Sequence, residues 1–144
     1  MSRPFKTVYF EDLTLGMTET FTKTVTSEDV VAFAHLSGDC NPIHLDAEYA
    51  KTTRFGERIA HGMYSASFVS AVIGMYLPGP GTVYLSQTLN FKAPVKLGDV
   101  VTTNVEVVEL IEKGRRVRLK CEGLVDGKVV LDGEALVLAP GRPK

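Results

Sequence analysis

A chain of 144 residues, 44% hydrophobic and 23% charged, has enough apolar material for one packed core and the balance of an ordinary globular protein. Its formal net charge of −1 excludes a broad electrostatic pull toward nucleic acid or acidic membranes. The two cysteines, Cys40 and Cys121, exclude a disulfide framework and point to a reducing compartment.

In chain order, Met1-Ser2-Arg3-Pro4-Phe5-Lys6 has no apolar run behind it, so no secretory signal is expected and the protein is read as cytoplasmic. No repeat, low-complexity tract or linker interrupts the sequence, which is read as one domain over 1–144. Residues 10–17 read as an entry loop, and 18–25, rich in Thr, Phe and Val, as a strand. Thr26-Ser27-Glu28-Asp29 matches a capping box, so a helix is expected from about Ser27 to Gly38.

The stretch Ser37-Gly38-Asp39-Cys40-Asn41-Pro42-Ile43-His44 holds the densest chemistry in the chain. Gly-Asp and Asn-Pro are turn signals, and Pro42 keeps Asn41 out of the helical region. On such a turn the Asp39 carboxylate and the His44 imidazole can converge on one water, an acid/base pair suited to neutral pH. Turn chemistry by itself also accounts for the Gly, Asp, Asn and Pro. The spacing of Cys40 and His44, with His35 and His61 in addition, raises the question of a metal site. Pro42 argues against a helix there and no paired-cysteine pattern exists, so no metal is expected.

Asp46 is expected to cap a short helix over 47–51, and 52–59 reads as a loop. Residues 61–77 follow as a helix without Lys, Arg, Asp or Glu, which predicts a buried helix. It is too short and too interrupted to span a bilayer, and Pro78-Gly79-Pro80-Gly81 ends it. Strands are expected over 82–91, 100–111, 115–125 and 128–138, the last two joined by the Asp126-Gly127 hairpin signal. The result is an α+β architecture, a four-strand meander and one early strand forming an antiparallel sheet curled round one helix. Its open edges favour pairing in a dimer.

The run Phe33-x-x-Leu36-Ser37-Gly38-Asp39-x-Asn41-Pro42-Ile43-His44 with Asp46, then Ala60-His61-Gly62-Met63, Asn90-Phe91-Lys92-Ala93-Pro94-Val95 and Gly98-Asp99, resembles the hydratase-2 motif of MaoC-like, R-specific enoyl-CoA hydratases. The resemblance runs from about Leu13 to Leu138 and lies nearest to the stand-alone hydratases that feed polyhydroxyalkanoate synthesis. It implies a hot-dog fold, a homodimer and reversible hydration of trans-2-enoyl-CoA to the (R)-3-hydroxyacyl-CoA. Coenzyme A arrives as part of the substrate, and no separate cofactor is implied.

By the same resemblance, Asp39 and His44 match the catalytic pair, and Gly62 the glycine whose N–H faces the thioester oxygen. Ser70 matches a helix serine near the site, and Asn41, His61 and Met63 complete the candidates for substrate contact. Plainer readings stand beside three of these: Asn41 as a turn former, His61 as a helix cap, Ser70 as a small packing residue. Arg116, Arg118 and Lys120 alternate along one strand as a solvated sheet face or, with Arg115, Lys92 or Lys96, as a patch for coenzyme A phosphates. A hot-dog dehydratase or thioesterase and a non-catalytic acyl-CoA binding protein are the competing functions.

Overall fold

The computed structural model describes residues 4–144. Six antiparallel strands form one sheet: β1 (Thr18–Thr24), β2 (Val83–Gln87), β3 (Asn90–Phe91), β4 (Val100–Ile111), β5 (Arg116–Val125) and β6 (Lys128–Leu138). The helices are α1 (Ser27–Ser37), α2 (Pro42–Leu45), α3 (Ala47–Lys51) and α4 (Gly62–Met75). Strands run in the order β1-β4-β5-β6-β2, with β3 also on β6.

Alternation along the long strands builds the core. Val101, Val105 and Val107 of β4, Val117, Leu119 and Cys121 of β5, and Ala135 and Val137 of β6 are all fully buried. Val101 packs in one cluster with Tyr64 and Phe68 of α4 and the others in a second with Val69, Val72 and Ile73, so the sheet wraps one helix as an α+β hot-dog arrangement. The Asp126-Gly127 hairpin takes positive φ at both positions, 51° and 77°, as a two-residue turn of its type requires.

Three expectations need correction. Only β4, β5 and β6 form a meander; the predicted strand over 82–91 is two strands, both on β6. The break falls at Thr88, whose hydroxyl accepts from the Glu134 N–H at 2.9 Å while its own N–H donates to the Glu134 carbonyl. Gly133 permits it, because a Cβ there would stand 1.9 Å from the Thr88 carbonyl oxygen. Second, the turn holds a short helix that begins at Pro42, although Cys40 stays outside it and no one helix carries both Cys40 and His44. Pro42 occupies the first helical position of α2, where its missing N–H costs nothing and its fixed φ suits the turn. Third, α4 is not buried all round: Met63, Ser67, Ser70 and Gly74 form an exposed, uncharged stripe.

Candidate active site

The turn after α1 is held by its own side chains. Gly38 ends the helix at φ 87°, a left-handed value that favours glycine. The Asp39 N–H donates to Ser37 Oγ, the Asn41 N–H to Asp39 Oδ1 at 3.2 Å, and the Ile43 N–H to Asn41 Oδ1 at 3.1 Å. Asn41 is therefore the cap of α2, and it does not line the cleft. One carboxylate oxygen of Asp39 is committed to the backbone. The other, Oδ2, lies 4.0 Å from His44 Nε2.

His44 is buried, while the Asp39 side chain is half exposed at the cleft. The Nδ1 of His44 sits 2.8 Å from the Ile59 carbonyl, which can only accept. The proton therefore resides on Nδ1, and Nε2 turns a lone pair toward Asp39. Burial pushes the His44 pKa below its ordinary value; the Ile59 carbonyl opposes this, His61 adds to it, and Asp39 opposes it. Arg58 braces the same turn, donating from Nε to the His44 carbonyl and from Nη1 to Ser27 Oγ.

His61 occupies the N-cap position of α4, but its side chain makes no capping bond there. Its Nε2–H donates to the Asp39 carbonyl at 2.9 Å, and its ring stacks on His44 with centroids 3.8 Å apart and planes 25° from parallel. Phe33 holds the ring from another side at 4.8 Å. His61 is thus a buried residue that lines the cleft and holds both members of the pair. Asp39, His44 and His61 place one possible ligand atom each within 4.8 Å. Imidazole lone pairs lie in the ring plane, so two stacked rings do not aim at a common ion about 2.0–2.1 Å from each. The donor set fits water better than a metal.

A cavity of about 480 Å³ opens beside this pair. Its walls include Ile59, Ala60, Met63, Val95, Val130 and Leu131, with the Gly62 end of α4 at one side. The first N–H groups of α4 lack intrahelical acceptors and carry the positive end of the helix dipole. A Cβ on Gly62 would meet Phe91 ring carbons at 2.8 Å, so that aromatic lies directly over the helix start.

Ser70 is exposed on α4 and lies outside the residues lining the cleft, whereas Ser65 is buried and lines it. Arg54, with its guanidinium 4.9 Å from the Phe55 ring centre, and Lys92 are the cleft's cations. Arg116, Arg118 and Lys120 are not in it. Arg118 bonds Glu109 at 2.9 Å, and Lys120 lies in register between Glu106 and Glu134, a solvated sheet face. Lys96 pairs with Glu57. Arg54, Phe55 and Ser65 reach the cleft through tertiary placement that no sequence pattern marks, and Phe91, part of the quoted motif, takes its place over Gly62 the same way; the loop setting of Arg54 and Phe55 is the one signal of function.

Residues 14–126 match the MaoC like domain. The chain is 58% identical to a Methylorubrum extorquens protein named 3-hydroxybutyryl-CoA dehydratase, over 94% of this chain and 86% of that one. It is 49% identical to a Rhodospirillum rubrum (R)-specific enoyl-CoA hydratase, over 93% of each. Among solved structures, the unliganded R-hydratase PhaJ1 of Pseudomonas aeruginosa superposes with a TM-score of 0.91 at 47% identity, covering 94% of this chain and 88% of that one. The fold and the length of these matches agree, and the chain belongs to the MaoC-like domain family.

Proposed function

We propose that this protein adds water across the C2=C3 bond of a trans-2-enoyl-CoA, giving the (R)-3-hydroxyacyl-CoA, and runs the reverse elimination equally. The observation that carries the reading is the opposition of two hydrogen-bond acceptors, Asp39 Oδ2 and His44 Nε2, 4.0 Å apart beside the open helix end. A molecule between two acceptors must donate to both, and water does so with its two O–H bonds. Its lone pairs then face outward, toward the substrate. The relatives' names describe the two directions of one such reaction.

In this mechanism the water oxygen bonds to C3 as Asp39, the main base, takes its proton; His44 orients the water and shares the transfer. The C2=C3 electrons move toward the thioester oxygen, which becomes an enolate. The Gly62 N–H, at the positive end of α4, stabilises that charge. The pair then returns a proton to C2, so that one water is added in total. Every group needed is a side chain or a backbone N–H of the chain, and coenzyme A enters only as part of the substrate. Arg54 and Lys92 at the cleft suit the coenzyme A phosphates.

We infer a homodimer through the β2 edge. Val83, Tyr84 and Leu85 are consecutive and all exposed, so both faces of this edge strand present apolar surface, with exposed Phe91 nearby on β3. Edge strands that stay unpaired are commonly blunted by charge, proline or a bulge; β2 has no charge and no proline, and its register shift is confined to Leu85. A cytoplasmic setting is inferred from the two unpaired cysteines. Among the described residues, no helix is long and apolar enough to cross a membrane.

The deciding experiment supplies purified protein with trans-2-enoyl-CoA of graded chain length, follows loss of the conjugated thioester and determines product configuration. An R product is expected. An S product, or no hydration at any length, would remove the reading.

A further inference from the structure

The Ser65 hydroxyl is an unexplained group in the cleft wall. The residue is 3% exposed, lines the cleft, and its Oγ has no hydrogen-bond partner. Ser67, two residues on, behaves as helix serines usually do and donates back to the Tyr64 carbonyl at 2.5 Å. Ser65 does not. The carbonyl three residues back, that of Gly62, takes no such bond from it, and that of His61, four back, already accepts from the Tyr64 and Ser65 N–H groups. A buried hydroxyl without a partner costs free energy, and folded proteins keep few of them.

Its position points to a use. Ser65 lies three residues after Gly62 and so on the same face of α4. The Cα–Cβ bond of a helical residue tilts toward the helix N-terminus, so the Ser65 side chain leaves the helix on the Gly62 side. Both residues line one cavity, and access to that turn runs past the exposed Phe91 ring lying over Gly62.

We propose that the Ser65 O–H is a second donor to the thioester oxygen, acting beside the Gly62 N–H and making Ser65 a further catalytic residue. This rests on the hydratase reading above. A single backbone N–H leaves an enolate oxygen with unused acceptor capacity. A neutral hydroxyl fills it without adding a charge to the apolar wall. The interaction strengthens as charge develops on the oxygen, so it lowers the barrier more than it tightens substrate binding.

The test compares wild type with Ser65→Ala on trans-2-butenoyl-CoA. It also measures binding of butanoyl-CoA and of the thioether analogue in which CH2 replaces the carbonyl. Wild-type activity is the control for the hydratase reading itself; an inactive wild type sinks that reading rather than this one. For Ser65→Ala, kcat is expected to fall on the order of 10²-fold with a much smaller change in KM. Butanoyl-CoA should bind more weakly to the variant while the thioether analogue binds as before. A kcat loss below about fivefold overturns the assignment, as does equal weakening of both ligands, which would mark Ser65 as packing alone. Ser65→Cys, which keeps the volume but donates poorly, is the second variant should Ser65→Ala not fold, and the same losses are expected of it.

Discussion

His61 Nε2 donates to the backbone carbonyl of Asp39 at 2.9 Å, while the same ring stacks on His44 at 3.8 Å. One buried imidazole thus sets the backbone under the carboxylate and the plane of the partner imidazole. The pair is held from behind, with neither Asp39 Oδ2 nor His44 Nε2 spent in holding it: Asp39 Oδ1 is used by the Asn41 N–H, and His44 Nδ1 by the Ile59 carbonyl.

The first prediction concerns the pair itself. Asp39→Asn keeps the shape of the side chain and its acceptor toward the Asn41 N–H but removes the base. His44→Ala removes the second acceptor for the water. Each should lower kcat by about 10²–10⁴-fold, the usual contribution of positioned acid/base groups. The double variant should cost little more than the worse single one, because the two act on one water. Circular dichroism and thermal unfolding establish that the fold survives; near-full activity in either variant would take that residue out of the chemistry.

The pH dependence follows from the His44 shift. Burial lowers its pKa, so the neutral form, which accepts from water, persists below the usual histidine range. The acid limb of kcat/KM should therefore lie below about pH 6.5, the unperturbed histidine value. The sign for stability is the same. The unfolded chain binds this proton more readily than the folded one, so stability is full above about pH 6.5 and is lost as pH falls from there through the lowered folded-state value. Urea midpoints measured across this window should fall on acidification, and His44→Ala should flatten the slope.

His61→Phe tests the support. The ring remains for stacking, but the donor to Asp39 is lost, and with it the charge interaction by which His61 lowers the His44 pKa. The acid limb should move to higher pH. A small misplacement of Asp39 should also cost on the order of 10–10²-fold in kcat. Unchanged position of the limb would show that His61 does not tune His44.

Local rules made much of this site readable in the sequence. Caps, a helix-ending glycine and a proline with fixed φ act over a few residues, so the turn from Gly38 to His44 and the start of α4 stand where those residues are. Pro42 is local too: proline bars helix through Cys40 and Asn41 before it and opens α2 after it. Phe91 over Gly62, Ser65 in the cleft wall and the split at Thr88 depend on contacts between distant segments, such as Thr88 with Gly133 and Glu134. No periodicity encodes those. The sheet order has the same origin, because β2 returns to the far edge of β6 instead of pairing with the strand that follows it.

Gly62→Ala separates two demands on that glycine. Alanine is the better helix former by up to about 1 kcal/mol, which favours the variant. Its Cβ, however, meets the Phe91 ring at 2.8 Å, and the ring, exposed on a two-residue strand, has room to give. Stability should change by less than about 1 kcal/mol. The displaced ring and the new methyl crowd the approach to the Gly62 N–H, so kcat should fall on the order of 10²-fold. Adding Phe91→Ala should restore part of the loss if ring displacement contributes; no recovery would assign the whole effect to the methyl.

The β2 edge supplies the last prediction. Val83, Tyr84 and Leu85 are 52%, 39% and 47% exposed on the outermost strand of the sheet. Strand pairing across this edge would satisfy its free backbone groups and cover these side chains together. Lysine at Leu85 puts a charge where a partner strand would lie, the device by which natural edge strands resist pairing. Wild type should sediment as a dimer of 15.7 kDa chains, and Leu85→Lys should shift toward monomer. The chain fold should persist, because Leu85 is no part of the buried core. A wild type that is monomeric at high concentration, or a dimer indifferent to Leu85→Lys, would place the interface elsewhere, with the uncharged α4 stripe of Met63, Ser67, Ser70 and Gly74 next in order.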